Sequence, residues 1–289
     1  MSYLTRPAAA PTPSRVMAQK LGDKLGQRFV VENRPAASGN VGAQAVAKAE
    51  PDGYTLLVGS PAEVALNQNL FKDLPFDPLT DLTPITLLAW TPLILAAHPS
   101  FAASNATELV ALARKGQVDY SSPGIGSSHH LTGELINKVQ STHLLHVPYR
   151  GAGPAVADAV GGQVKLTISG MPPVVGFLES HALKAIAVAS RQRSPRFPEI
   201  AALAETPGFG DFDFTNWFGL LARTGTPPAI LQQLYKTSTE VLQDAQVREI
   251  LVPQAAEPVA SRPDEFRDFI RAEAAKYARV VQITGVSIK

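Results

Sequence analysis

Cysteine is absent from this chain. Its absence excludes disulfides, thiolate zinc sites and a cysteine nucleophile, and it leaves the cellular compartment open. An excess of charge is also lacking: 26 Lys and Arg stand against 25 Asp and Glu, a net charge of +1. A nucleic-acid groove or an anionic membrane face normally shows a basic excess, so neither is expected as a partner. Charged residues are only 18% and hydrophobic ones 45%, a balance that belongs to a chain with a packed core rather than a disordered one. No unbroken apolar window is long enough for a membrane-spanning helix. The start of the chain, Met1 to Ser14, has neither the basic region nor the apolar run of a secretory leader. A trimmed exported form, a truncated chain and a cytoplasmic relative all fit that start.

Catalytic motifs are missing as well. There is no GxxxxGK[ST], no GxSxG and no HExxH. Gly151-Ala152-Gly153-Pro154-Ala155-Val156 begins like a dinucleotide fingerprint but lacks its third glycine, and Pro154 removes an N–H from the helix start. His129 and His130 are adjacent, so on a helix they point about 100° apart. His143 and His146 would lie on opposite faces of a strand. These are read as surface or core histidines, and neither a metal nor a cofactor is expected. Ser127 or Ser128 with His130 would make a Ser–His pair, but no orienting acid or oxyanion loop accompanies it, so hydrolysis is kept only as an alternative.

What is present is an alternation of short apolar runs and helical patterns. Strands are expected at Phe29-Val30-Val31, Tyr54 to Gly59, Leu93 to Ala97, Leu144 to Val147, Val164 to Ile168, Ala185 to Ala189 and Phe218 to Leu221. The runs are continuous rather than alternating, as in strands buried on both faces of a mostly parallel sheet. Helices are expected from Ser14 to Gly26, after the capping pair Asn105 and Glu108, over Leu131 to Val139 and over Pro154 to Val160. Three more follow over Pro228–Leu242, Ala245–Leu251 and Pro263–Ile283. Strand–helix–strand order repeats over 28–98 and 118–190, which implies an α/β architecture. A length of 289 residues predicts two lobes. The expected division is 1–98 with 215–289 for the first lobe and 99–214 for the second, with short crossing strands as a hinge.

Small polar loops at strand ends are the best functional signal. Tyr120 to Leu131 carries Gly124, Gly126, Ser127 and Ser128 between a strand and a helix. Backbone N–H groups there, the helix dipole and the hydroxyls would cradle a carboxylate or phosphate. The plainer reading is a capped helix after a Gly-Ser turn. Ala8 to Ser14, Gly59-Ser60-Pro61 and Ser169-Gly170-Met171 end or begin elements in the same way, and such loops converge on an interlobe cleft.

Several motifs then resemble one family. Val31-Glu32-Asn33-Arg34-Pro35-Ala36-Ala37-Ser38-Gly39-Asn40-Val41-Gly42, Glu50-Pro51-Asp52-Gly53-Tyr54-Thr55-Leu56-Leu57, Phe76-Asp77-Pro78 with Asp81 to Ile85, Gly126 to Leu131, His146 to Gly151 and Trp217-Phe218-Gly219-Leu220 occur in order. Together they are similar to the substrate-binding proteins of tripartite tricarboxylate transporters, the Bug receptors, from about residue 10 onward. The resemblance implies a two-lobe periplasmic binding protein fold (type II-like) and a non-enzymatic receptor. Such a receptor captures a small organic carboxylate and delivers it, as a monomer in the periplasm, to membrane permease subunits. A ligand sensor or orphan binding protein is the alternative. By the same resemblance Ala10, Thr12, Ser14, Ser60, Gly126, Ser127, Ser128, Ser169 and Gly170 would bind the ligand, while His130 and Tyr149 support the cleft loops. The family's first strand and glycine loop are not visible here, and Pro11 and Pro13 each remove an N–H from the loop that stands in their place.

Overall fold

The computed structural model describes residues 13–34 and 36–288. Ala10 and Thr12 lie outside the described residues. The elements needed here are α1 (Pro13–Leu25), α2 (Asn40–Ala47), β1 (Leu56–Gly59), β2 (Leu82–Ala97), α3 (Ala106–Lys115), β3 (Val118–Ser122), α4 (Ser128–Gln140), β4 (Leu144–Pro148), α5 (Ala152–Val160), β5 (Leu166–Gly170), α6 (Val175–Glu179), β6 (Lys184–Val188), β7 (Thr215–Arg223), α7 (Pro228–Gln243), α8 (Ala245–Leu251), β8 (Glu257–Pro258) and α9 (Pro263–Thr284).

One strand organises the whole. From Leu82 to Pro92, β2 pairs with β7, which pairs on its other side with β1. From Leu93 to Ala97 the same strand pairs with β5 on one side and β6 on the other. Beyond β5 come β3 and then β4. The partners of β2 therefore change completely between Pro92 and Leu93. Proline has no N–H for a ladder and is tolerated where pairing changes. The expected strand at Leu93 to Ala97 is thus the second half of a much longer one.

The α/β class stands, with helices flanking both sheets. Strand direction differs from the expectation in part. β3 is parallel to β4 and β5, but all the described pairs of the first sheet, and those of β2 in the second, are antiparallel. Continuous apolar runs report burial on both faces, and that burial is present: Leu93 to Ala97 is wholly buried. Burial alone does not fix direction. Phe29-Val30-Val31 forms no strand, and Val30 stands 73% exposed.

Capping decided several helix bounds as read. Gly26 follows α1 at φ +63°, a left-handed stop suited to glycine. Asn105 Oδ1 accepts the Glu108 N–H at 2.9 Å, while the Glu108 carboxylate reaches one residue further back, to the Ser104 N–H at 2.7 Å. Pro228 and Pro263 open α7 and α9. Helix α9 packs across β2 and α4, and its Phe266 and Phe269 meet the buried Trp217 edge-on. Trp217 Nε1 donates to Glu273 Oε2 at 3.1 Å.

Candidate ligand cleft

The loop from Pro123 to Ser127 leaves β3 and enters α4, and its geometry is held from below. Ser127 is the N-cap: its Oγ accepts the His130 N–H at 3.2 Å and donates to Gly124 O at 2.7 Å. The Gly126 N–H donates to His130 Nδ1 at 3.3 Å. That bond leaves the neutral ring's proton on Nε2, which faces Glu134 Oε1 at 3.8 Å. His130 stacks on His146 with ring centroids 4.1 Å apart, and Tyr120 stacks on the other face of His146 at 5.2 Å. Ser122 Oγ lies 2.5 Å from His146 Nε2 and accepts the Gly124 N–H at 3.2 Å. Burial pushes the His130 imidazole down to about 4, and burial with the nearby His130 pushes His146 down to about 3. Both rings are therefore neutral at pH 7 and act as a packed wall under the loop.

Gly126 sits at φ +76°, and a Cβ there would lie 2.6 Å from Ile288 Cδ1. The loop is thus pressed against the segment that follows α9. It is also tied to the other sheet's side: Ser38 Oγ donates to Ile125 O at 2.5 Å. Its opposite flank is clasped to the turn after β4. The Gly151 N–H donates to Pro123 O at 2.9 Å and the Tyr149 N–H to Ser122 O at 3.0 Å. Tyr149 turns its hydroxyl away to donate to Asp158 Oδ2 at 2.6 Å, and burial together with that carboxylate pushes the phenol up to about 12.

With the loop so fixed, Ser127 spends its hydroxyl on its own cap, and Gly126 spends its N–H on His130. The first-turn N–H groups of Ser128 and His129 have no partner among the described residues, although both residues are buried. First-turn N–H groups of a helix are open to an outside acceptor, and the helix dipole favours an anionic one. Ser128 Oγ is 3.5 Å from His129 Nδ1, too long to hold it firmly.

The other expected ligand positions divide. Gly170 ends β5 directly beside Leu93, where β2 changes partners. Ser169 Oγ is buried without a hydrogen-bond partner; its ladder partner Ile94 belongs to the apolar cluster under α5 and α6. Ser14 lies in the first turn of α1, half-buried. Ser60 is already engaged. Its N–H donates to Glu63 Oε1 at 2.6 Å and its Oγ to Glu63 Oε2 at 2.7 Å. Both donors are engaged within the protein, at a position where the sequence led to the expectation of a ligand contact. The helical turn that starts at Pro61 swings Glu63 back over Ser60, three residues away.

Sequence reasoning missed Asn216. It pairs with Thr91 at the start of β7, and its Nδ2 is the nearest group to the open face of Gly170, 3.8 Å from where a Cβ would stand. Half-buried, its amide has no partner among the described residues. The signal was available as a polar Asn directly before the apolar run Trp217-Phe218-Gly219-Leu220. No group of three His, Asp or Glu side chains among the described residues is placed to hold a metal.

A strand shared by two sheets, with the Asn216 amide beside the crossing and the Ser128 and His129 N–H groups at the start of α4 unpartnered among the described residues, fits a two-lobe solute-binding protein. The comparisons agree. The family model for the tripartite tricarboxylate transporter family receptor matches residues 14–286. The chain is 38% identical over 279 residues to protein BugT of Bordetella pertussis, covering 96% of this chain and 85% of that one. A Rhodopseudomonas palustris protein solved with adipate superposes with a TM-score of 0.91 at 31% identity, covering 95% of this chain and 92% of that one. MatC from the same organism, solved with bound malate, gives 0.86 at 28% identity and covers 96% of each chain. This chain belongs to the tripartite tricarboxylate transporter receptor family, whose members include the Bug periplasmic binding proteins.

Proposed function

We propose that this protein captures a small organic carboxylate between its lobes in the periplasm and hands it to the permease subunits of a tripartite tricarboxylate-type transporter. It acts without turnover and as a monomer. The observation that carries the reading is the pair of N–H groups of Ser128 and His129 at the start of α4, which have no partner among the described residues. A carboxylate seated there accepts both, and the α4 dipole adds to the attraction without any cationic side chain. Asn216 and Gly170 lie at the crossing of the lobes, where the rest of the ligand would rest, and Ser128 Oγ and Ser169 Oγ are hydroxyls still able to donate. The adipate and malate held by two relatives are both small carboxylates, which supports the class.

The lobes in this reading divide within β2, at Pro92 and Leu93, and again before Thr215. The change of ladder partners supports that division; it lies six residues before the boundary expected at 98. His130 and Tyr149 serve as supports of the cleft loops, in keeping with their bonds to Gly126 and Asp158.

A Ser–His hydrolase draws no support from either close pair: His98 and Ser100, 2.8 Å apart, are near neighbours on an exposed turn. Ser122 and His146 are 2.5 Å apart, but Ser122 is fully buried and the ring is wedged between Tyr120 and His130. Thermal melts and calorimetry with a panel of mono-, di- and tricarboxylates test the proposal. A true ligand at 100 times its dissociation constant adds about 2.7 kcal/mol of stability. No shift with any member of the panel would refute the carboxylate reading.

A further inference from the structure

The end of β1 in the first lobe already contains a carboxylate, and it belongs to the protein. Glu63 is buried, and its two oxygens take the Ser60 N–H at 2.6 Å and the Ser60 hydroxyl at 2.7 Å. These are the donors that a strand-end loop would otherwise turn toward an anionic ligand. Glu63 is also wedged under the next turn: a Cβ on Gly39, at φ +87°, would stand 2.7 Å from its Oε2. That turn is fixed by a second side chain from the same helical segment. Asn67 Nδ2 donates to Ser38 O at 3.1 Å and to Asn40 Oδ1 at 2.6 Å. Ser38 in turn reaches across to Ile125 O in the α4 loop. Glu63 therefore lies buried against a turn whose own hydrogen bonds run on to the α4 loop.

The positions flanking this seat add little: Pro61, next to Ser60, and Pro13, at the start of α1, have no N–H. The second lobe differs: it leaves Ser128 and His129 N–H unpartnered.

We infer that Glu63 sets the ligand class by filling the first-lobe carboxylate seat from within, so that this receptor takes a monocarboxylate. Resting on the carboxylate reading above, this places the ligand's single carboxylate on the α4 side. The group it turns toward Ser60 is uncharged or a hydrogen-bond donor. A second ligand carboxylate directed at Ser60 meets a buried carboxylate and finds both Ser60 donors already taken, an arrangement that rejects by like charge and unmet acceptors.

The test is calorimetric titration of the full chain at pH 8, where Glu63 is ionised. The probes are butyrate and 4-hydroxybutyrate against succinate and adipate, with Glu63→Gln and Glu63→Ala beside the parent. The parent should bind the better monocarboxylate at least tenfold tighter than either dicarboxylate. Glu63→Ala frees both Ser60 donors and should narrow or reverse that ratio by tenfold or more. Glu63→Gln keeps the shape and the acceptor oxygen, removes the charge, and should fall between. It also covers the case in which the alanine variant does not fold. A parent that prefers dicarboxylates, or a ratio unchanged in the Gln variant, overturns the role of Glu63 and leaves the receptor reading standing. Absence of heat with all four acids in every folded variant overturns the receptor reading itself.

Discussion

Two strand-end loops of similar composition behave in opposite ways. Gly59-Ser60-Pro61 and Gly126-Ser127-Ser128 both offer small residues and hydroxyls before a helical turn. In the first, a residue of the turn supplies its own acceptor, and the donors are satisfied inside the protein. In the second, His130 folds back to take the N–H of Gly126, Thr132 folds back onto the Ser128 carbonyl, and the N–H groups of Ser128 and His129 keep no partner among the described residues. A loop's small residues show that a ligand could approach. Whether donors remain for it depends on what stands three or four positions later.

The contrast extends to titration and can be broken there with the largest effect. Burial lifts the Glu63 carboxyl from 4.5 to about 7. The folded state holds that proton more tightly, so this contribution is full below pH 4.5 and is lost as pH rises through 7. Burial lowers His129 and His130 to about 4 and His146 to about 3, all from 6.5. Their contribution is full above pH 6.5 and is lost as pH falls toward 4. Three imidazoles outweigh one carboxyl, so stability should fall by roughly 3 kcal/mol or more on going from pH 6.5 to pH 4, after discounting for partial solvent access. Urea denaturation across that range checks it. Glu63→Gln, which removes the opposing group, should make the acid loss steeper; an unchanged slope would separate Glu63 from the titration.

Smaller effects sharpen the picture of the second loop. Ser122→Ala strips His146 Nε2 of its partner and Gly124 N–H of its acceptor, and should cost about 1–3 kcal/mol in denaturant unfolding. Ser127→Ala removes the α4 cap and should cost about 1 kcal/mol, with weaker carboxylate binding because the first turn loosens. Ser38→Ala deletes one bond between the Ser38 turn and Ile125, with a loss of about 0.5–1 kcal/mol; its readout is a faster off-rate of the bound acid rather than a lower melting point.

Much of the fold was legible in the chain. Helix bounds followed from local chemistry, because Gly26, Asn105, Pro228 and Pro263 act within one turn of themselves. The buried strands were visible as apolar runs. Strand direction and the length of β2 were not, since Leu82 to Pro92 includes Thr83, Pro84, Thr86 and Thr91 and is recognisable as a strand only once β7 lies beside it. Of the site, the α4 loop was readable from Gly126, Ser127 and Ser128. The engagement of Ser60 was not, because Glu63 reads as an ordinary surface acid until burial is seen. Asn216 escaped for a related reason: its closeness to Gly170 arises from two strands flanking β2, far apart in sequence.

The first turn of α4 is the proposed carboxylate seat, and one substitution addresses it with little collateral change. Ser128 is the first helical residue, a position that accepts proline because its N–H has no partner within the helix. Ser128→Pro removes one of the two unpartnered donors, and Ser128→Ala controls for the hydroxyl. Calorimetric titration with the carboxylate that binds the parent best should show at least tenfold weaker binding for the proline variant than for the alanine variant, at nearly equal melting temperature. Equal affinity in the two variants would contradict a carboxylate seated on the α4 N–H groups.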